Sequence, residues 1–211
     1  MIRTVVPTTF SRVRFSQSAF LTKHQDTLTS AVDNMQAYGS TMIPIGLLWG
    51  WCMLSLDWSP AVAGKNNGWT TNTDTTLPRP ETTQVLQRVA IVLTDGGNDP
   101  GPTTGTFRMP YFNQFSQGDQ NLKASPLGLN GVTSSSTDLN TFQLGVCTAM
   151  KNSGIIIYAI TFGTDDASKA AQTTMQFCAS PGNYYHVPDN NMLNTIFQQI
   201  AGNLGVLRLT Q

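Results

Sequence analysis

Apolar residues recur at helical spacing in two stretches near the start of the chain. The first stretch predicts a helix that begins at Asp26 and is ended by Gly39, with an apolar stripe made of Leu28, Val32 and Met35. The second predicts a helix after Thr41, with Pro44 in its first turn, where proline is tolerated. Because apolar residues occupy most sides of this second helix, we expect it to be buried.

Three apolar segments in the second half of the chain have the character of strands. Arg88–Thr94 and Ile155–Phe162 are apolar without polar alternation, which is typical of parallel strands covered on both faces. A shorter strand is predicted at Tyr184–Val187.

Helical patterns separate and follow these strands. One covers residues 139–152 and is ended by Gly154, and the next covers residues 167–179. Asp189 is suited to cap the last helix, whose predicted inner side is Leu193, Ile196, Phe197, Ile200 and Leu204. The alternation predicts an α/β fold: a Rossmann-like, mostly parallel sheet with helices on both faces.

Two long segments, residues 57–87 and 99–137, show no clear period. Loops of this length inside a compact domain are usually functional or disordered. The second segment carries four aromatic residues that are candidates for contacting a ligand: Phe107, Tyr111, Phe112 and Phe115. No internal repeat and no boundary between folded units is visible, so residues 1–211 are expected to form a single domain.

Composition excludes several classes of function. Charged residues make up 11% of the chain, and its twelve basic and twelve acidic residues leave no net charge, so nucleic acid is not an expected partner. The longest apolar stretch, residues 42–56, is too short to cross a bilayer, and the N-terminus lacks a signal-peptide pattern. An anchor or export signal would therefore lie outside the chain. The cysteines and histidines lack the spacing of a zinc site.

One acidic residue is placed where ligands collect in an α/β sheet. Asp95 directly follows an apolar strand, and ligands bind outside the carboxyl ends of the strands in such sheets. A carboxylate there suits a hard cation, to which Thr41 would add a hydroxyl oxygen. The alternative is structural: Asp95 caps a turn in which Gly96 and Gly97 take positive φ, and Thr41 is the N-cap of the following helix.

Two cysteines lie on the successive predicted helices that flank the strand Ile155–Phe162. Successive right-handed crossovers in one direction place both helices on the same face of the sheet, where Cys147 and Cys178 can meet. They form either a disulfide, if the chain works outside the cytoplasm, or two buried free thiols. Cys52 is interpreted as a core residue, and His186 as a surface or hydrogen-bonded core residue.

Several of these segments resemble one known family. Gly39-Ser40-Thr41 and Leu93-Thr94-Asp95-Gly96 resemble the second and third segments of the metal-ion-dependent adhesion site of von Willebrand factor A (vWA) domains. Further segments are similar to TadG-type Flp-pilus (tight adherence) assembly proteins: residues 41–51, 147–160, 177–180 and 197–209. The family's first metal segment, Asp-x-Ser-x-Ser, is missing. The resemblance therefore implies a vWA-like domain truncated at its N-terminus, without the central first strand and the membrane anchor.

The resemblance also implies a function. It is that of a non-enzymatic binding or assembly module of a pilus or adhesion system, located in the periplasm or outside the cell, with protein partners. Its cofactor would be Mg²⁺ or another divalent cation, with Thr41 and Asp95 as the metal ligands.

Two other functions stay open. One is a haloacid-dehalogenase-like phosphohydrolase with Asp95 as nucleophile, although such an enzyme needs an acid two residues further on, where this chain has Gly97. The other is a remnant without activity of its own, because a missing central strand would leave the backbone of Arg88–Thr94 unpaired.

Overall fold

The computed structural model describes residues 3–5, 9–10, 19–22, 24–35, 40–58, 77–80, 82–99 and 136–206. Most of the two predicted long loops lies outside these residues. So do the four aromatic candidates for contacting a ligand: Phe107, Tyr111, Phe112 and Phe115.

Three strands form the main sheet, and four short strands form two small antiparallel pairs. In chain order the elements are β1 Arg3–Val5, β2 Thr9–Phe10, β3 Ala19–Thr22, α1 Gln25–Asp33, β4 Ser40–Thr41, α2 Ile43–Leu54, a 3₁₀ turn Leu56–Trp58, β5 Arg88–Thr94, α3 Ser136–Asn152, β6 Ile155–Phe162, α4 Asp166–Cys178, β7 Tyr184–Val187 and α5 Asn190–Val206. β1 pairs with β3, and β2 pairs with β4.

The main sheet is parallel, in the order β5-β6-β7. Val92 of β5 is in register with Ala159 of β6, which is in register with Tyr184 of β7. The bounds of all three strands agree with those predicted from the apolar runs. The α/β expectation is therefore confirmed as far as a three-stranded parallel sheet with helices.

Helices pack on both faces of this sheet. On one face Ile157 of β6 lies in a buried cluster with residues of α2, α3 and α4, among them Leu47, Met150 and Met175. On the other face Tyr158 and Ile160 of β6 pack with Ile200 of α5 and with Val187 of β7. β6 is thus enclosed on both sides, as its continuous apolar run predicts.

The expectation that β5 is covered on both faces is wrong. Val92 and Thr94 are buried on the side where α2 packs, but Ile91 and Leu93 on the opposite side are 44% and 37% exposed. The buried cluster on that side is formed by β6, β7 and α5, and Val89 is the β5 residue that packs against it. The apolar run identified the strand, but not the number of layers packed against it.

The apolar stripes of α1 and α5 are partly exposed. α1 ends at Asp33, before the predicted Gly39, and has no buried residue; its Val32 is 50% exposed and Met35, just beyond the helix, is also exposed. Its main contacts within the described chain are with the short strands β1 and β3 and not with the main sheet. On α5, Ile200 is buried as predicted and Leu193, Ile196 and Leu204 pack against the same cluster, but Phe197 is 38% exposed.

The predicted ends of the later helices are confirmed. α3 ends at Asn152, and Gly154 takes φ +79°, the left-handed conformation that glycine adopts without a steric penalty. The Asp189 carboxylate accepts hydrogen bonds from the backbone N–H groups of Asn191 and Met192 and so caps α5. None of the helices in the described part of the chain is long and apolar enough to span a membrane.

Candidate functional site

Asp95 lies at the carboxyl end of β5, with an exposed side chain. The turn that carries it is held by the preceding residue. Thr94 Oγ1 lies 2.7 Å from the carbonyl oxygen of Gly96, to which it donates, and 3.3 Å from the backbone nitrogen of Gly96, from which it accepts. The carboxylate is therefore presented at the edge of the sheet by a hydrogen-bonded turn.

The two glycines after Asp95 serve close packing. A Cβ added at Gly97 would lie 3.3 Å from the Cβ of Ala170, and one added at Gly96 would lie 3.8 Å from the Cβ of Ala167. Neither glycine has positive φ, so the conformational reason expected for them is wrong. They allow the loop to pass close to the first turns of α4.

The loop after Asp95 runs beside the segment that precedes α2. The backbone N–H of Asp99 donates to the carbonyl oxygen of Thr41 at 2.8 Å. One residue earlier, Asn98 Oδ1 accepts from the backbone N–H of Ile43, the first residue of α2, at 2.9 Å. These bonds hold the loop that follows the segment Leu93–Gly96 beside Thr41, the last residue of the other segment that resembles a metal-site motif.

The N-cap of α2 is therefore not Thr41. Met42 occupies that position and makes no side-chain cap hydrogen bond. Asn98, which is 55 residues away in sequence, satisfies the N–H of Ile43 instead. Thr41 is half-buried at the end of β4.

A buried amide network lies directly beneath this loop. Asn98 Nδ2 donates to Asn140 Oδ1 at 2.8 Å and to Gln143 Oε1 at 2.7 Å, and Gln143 Nε2 lies 3.4 Å from the sulfur of Met175. Gln143 is fully buried and Asn98 is 7% exposed. Because buried amides need partners, the network ties the loop to α2 and α3 together.

This network is not among the features predicted from the sequence. A signal was present, because Gln143 lies one helical turn from Leu139 and directly beside Phe142, on the stripe that is buried. A polar residue at a core position indicates a buried hydrogen-bonded partner. The identity of that partner, Asn98, depends on how the loop and α3 meet.

Few oxygen ligands for a cation lie at the carboxyl edge, the edge of the main sheet at which the parallel strands end. Asp95 is exposed, Asp99 lies beside Thr41, and the Thr41 carbonyl oxygen already accepts a hydrogen bond. Within the described ranges, no three His, Cys, Asp or Glu side chains are grouped so that they could hold a metal. Hard cations take about six or more oxygen ligands. A cation bound by Asp95 and Thr41 would therefore need water for most of its coordination.

A second polar cluster lies at the same edge on the neighbouring strands. Thr161 at the end of β6 is fully buried, and its Oγ1 lies 2.9 Å from the Tyr184 hydroxyl and 3.0 Å from His186 Nδ1. His186 itself is exposed. The cluster confirms His186 as a hydrogen-bonded surface residue, and the burial of Thr161 leaves its hydroxyl without access to a substrate.

Cys147 of α3 and Cys178 of α4 form a disulfide with a Cα–Cα distance of 5.1 Å. Both residues are fully buried on the face of the sheet where α2 also packs. Lys151 supports the same junction, because its Nζ donates to the carbonyl oxygens of Phe177 at 2.9 Å and Ala179 at 3.3 Å. Two helices that follow each other along the chain are thus cross-linked over β6.

Cys52 of α2 is a free thiol and is half-buried. Burial raises its pKa from 9.0 to about 11, and a backbone hydrogen bond opposes that shift only in part. The neutral thiol is therefore favoured, which is typical of a packed cysteine and not of a nucleophile.

Comparison with known proteins adds no relative to this picture. No family model, no curated protein and no solved structure matches the chain. The geometry of the carboxyl edge and the motif resemblance are therefore the grounds for a function.

Proposed function

We propose that the chain is a non-enzymatic binding or assembly module with a vWA-like fold, similar to TadG-type pilus assembly proteins. The observation that supports this proposal is the contact between Thr41 of one motif and the loop that directly follows the other motif, Leu93–Gly96. The backbone N–H of Asp99 donates to Thr41, and Asn98 caps the helix that follows Thr41. Thr41 and the loop that follows Asp95 therefore lie side by side, as a shared site would require.

The disulfide supports a place outside the cytoplasm. Disulfides form and persist in oxidising compartments such as the bacterial periplasm and the cell surface. Cys147 and Cys178 are joined in the core, which fits a periplasmic or extracellular protein. Its partners are proteins of the pilus or adhesion system.

The proposed cofactor is Mg²⁺ or another divalent cation, bound weakly at Asp95 and Thr41 and largely hydrated. Calorimetric titration with Mg²⁺ and Mn²⁺ tests this. We expect heat of binding for the wild type and none for Asp95→Ala. The matched control is Asp166→Ala, because the Asp166 side chain is 99% exposed on α4. A wild type that gives no heat would remove the cation and leave the proposal of a protein-binding module.

The cellular role is tested by deleting the gene from its host. We expect loss of pilus filaments in electron micrographs and loss of surface attachment, both restored by the wild-type gene. If Asp95 contacts the ligand, the Asp95→Ala gene restores neither, whereas the Asp166→Ala gene restores both. Normal filaments in the deletion strain would contradict the assembly role.

The phosphohydrolase alternative is disfavoured by the packing after Asp95. The position of the required second acid is Gly97, where even a Cβ would lie 3.3 Å from Ala170. An aryl phosphate assay tests this reading, and we expect no turnover. Turnover that Asp95→Ala abolishes would favour the enzyme instead.

A further inference from the structure

The loop that follows β5, residues 95–99, lies against the first halves of both helices that the disulfide joins. On the α3 side, Asn98 Nδ2 donates to Gln143 Oε1 at 2.7 Å. On the α4 side, the lack of a side chain at Gly97 allows a close approach, because an added Cβ would lie 3.3 Å from the Cβ of Ala170. The position of the loop therefore depends on the spacing of α3 and α4.

Two bridges in successive helical turns set that spacing. The first is the contact between Gln143 of α3 and Met175 of α4, in which the amide nitrogen lies 3.4 Å from the sulfur. The second is the disulfide, because Cys147 follows Gln143 by four residues and Cys178 follows Met175 by three, about one helical turn in each case. Gln143 thus contacts the loop through its oxygen and α4 through its nitrogen, one turn from the covalent bond.

Every part of this connection is shielded from water. Gln143, Met175, Cys147 and Cys178 are fully buried, and Asn98 is 7% exposed. A buried amide that loses its partner finds no water to replace it, and close-packed interiors transmit strain from one side chain to the next. A change in the spacing of the helices at the cysteines is therefore passed to Gln143 and from it to Asn98.

We propose that the disulfide makes the position of this loop redox-sensitive: the bridged chain holds residues 95–99 against α3 and α4, and the reduced chain releases them. Without the covalent bond, only side-chain packing sets the spacing of the helices at the cysteines. Formation of the bridge passes two electrons and two thiol protons to a disulfide oxidant, which leaves as two thiols. The Asp95 carboxylate is therefore fixed at the carboxyl edge only in an oxidising compartment. This coupling is independent of the proposed function.

A double-mutant cycle between the loop and the disulfide tests the coupling. Asn98→Ala is introduced into the bridged chain and into an unbridged chain, Cys147→Ala/Cys178→Ala, and urea denaturation gives the equilibrium constant for unfolding of each. Because the loop is already released in the unbridged chain, we expect Asn98→Ala to raise that constant about tenfold less there than in the bridged chain. Equal increases in the two chains would overturn the coupling.

Ile200→Ala is the matched control, because Ile200 is buried on the opposite face of the sheet in a cluster that includes no residue of α3 or α4. It should raise the unfolding constant equally with and without the bridge, and a smaller effect without the bridge would mean general loosening and overturn the coupling as well. The entropy that the disulfide removes from the unfolded chain cancels in the cycle. A second unbridged chain, Cys147→Ala/Cys178→Val, refills part of the lost volume, so that the cycle does not depend on the folding of one variant.

Hydrogen exchange locates the effect at the loop. The reporter is the N–H of Ile43, which donates to Asn98 Oδ1, and the reference is the N–H of Ile200 in α5. In the unbridged chain we expect the protection of Ile43 to fall about tenfold and to lie below that of Ile200, because the loop opens before the chain unfolds. Cys52→Ala, which keeps the bridge, should leave Ile43 as protected as in the wild type. Protection of Ile43 that is unchanged in the unbridged chain, or that falls only in step with Ile200, would contradict release of the loop.

Discussion

β5 and β6 are neighbouring strands with the same kind of sequence and different surroundings. Both are continuous apolar runs, and they are paired in register over the whole of β5. β6 is enclosed by α3 and α4 on one face and by α5 on the other, whereas β5 has Ile91 and Leu93 exposed on its second face. The contrast shows that the apolar pattern defines a strand but not the number of layers that cover it.

The interactions that fix the helices over β6 also differ from those that fix the elements at the end of β5. Over β6, the disulfide between Cys147 and Cys178 joins α3 to α4. At the end of β5, the amide of Asn98 joins the loop to α2 and α3 through hydrogen bonds alone. The β6 side thus has a covalent bond in addition to apolar packing, whereas the β5 side has a polar network in addition to the apolar packing of α2.

The largest loss in the free energy of unfolding is expected from a substitution in β6, and its matched control is an isoleucine of β5. Ile157→Ala removes a fully buried side chain from the core, which costs about 2–5 kcal/mol of the free energy of unfolding. Ile91→Ala, at a residue 44% exposed, should cost under about 1 kcal/mol. Urea denaturation of each variant and of the wild type measures both losses. Equal losses would mean that Ile91 is enclosed as well as Ile157 is.

Removal of the disulfide should weaken the β6 side by a similar amount. Replacing Cys147 and Cys178 by alanine opens a loop with a sequence separation of 31, at a cost of about 2–4 kcal/mol. The control Cys52→Ala removes a half-buried thiol and should cost less. The denaturation midpoints of the wild type, the double variant and Cys52→Ala measure how much stability the disulfide contributes. A double variant as stable as the wild type would show that packing alone holds α3 against α4.

A smaller loss in the free energy of unfolding is expected when Asn98 is removed from the amide network under the loop that follows β5. Asn98→Ala leaves the buried Gln143 oxygen and the Ile43 N–H without their partner, at a cost of about 1–3 kcal/mol. Asn194→Ala on the exposed side of α5 is the control and should change stability little. If cation binding requires this loop, the calorimetric heat falls in Asn98→Ala as well. An unchanged free energy of unfolding would contradict the role assigned to the network.

The smallest effect concerns the reactivity of Cys52. Its pKa is raised from 9.0 to about 11 in the folded chain, so the folded thiol should alkylate about 100-fold more slowly than the unfolded one at mildly alkaline pH. The folded state also binds more protons between pH 9.0 and about 11, so stability falls as pH rises through that window. Iodoacetamide labelling with and without urea measures the ratio, and equal rates would contradict burial as the cause.

Local pattern was sufficient for the elements and for part of the site. The bounds of β5, β6 and β7, the glycine end of α3 and the Asp189 cap all follow from residues close in sequence. Asp95 was placed at the carboxyl edge because it directly follows an apolar strand. The requirement for glycine at position 97 does not follow from local pattern. It comes from the close approach of the distant Ala170 and not from the backbone conformation of Gly97.

By itself, then, the sequence determined an α/β chain with three parallel strands, an acidic edge and two cysteines on successive helices. Tertiary structure alone decided that Asn98 caps α2 from 55 residues away, that Gln143 is its buried partner, and that Ile91 remains exposed. The physical reason is the separation in sequence between the residues that are in contact. Periodicity records the face that an element buries, whereas the identity of the covering neighbour depends on contacts between residues far apart in the chain.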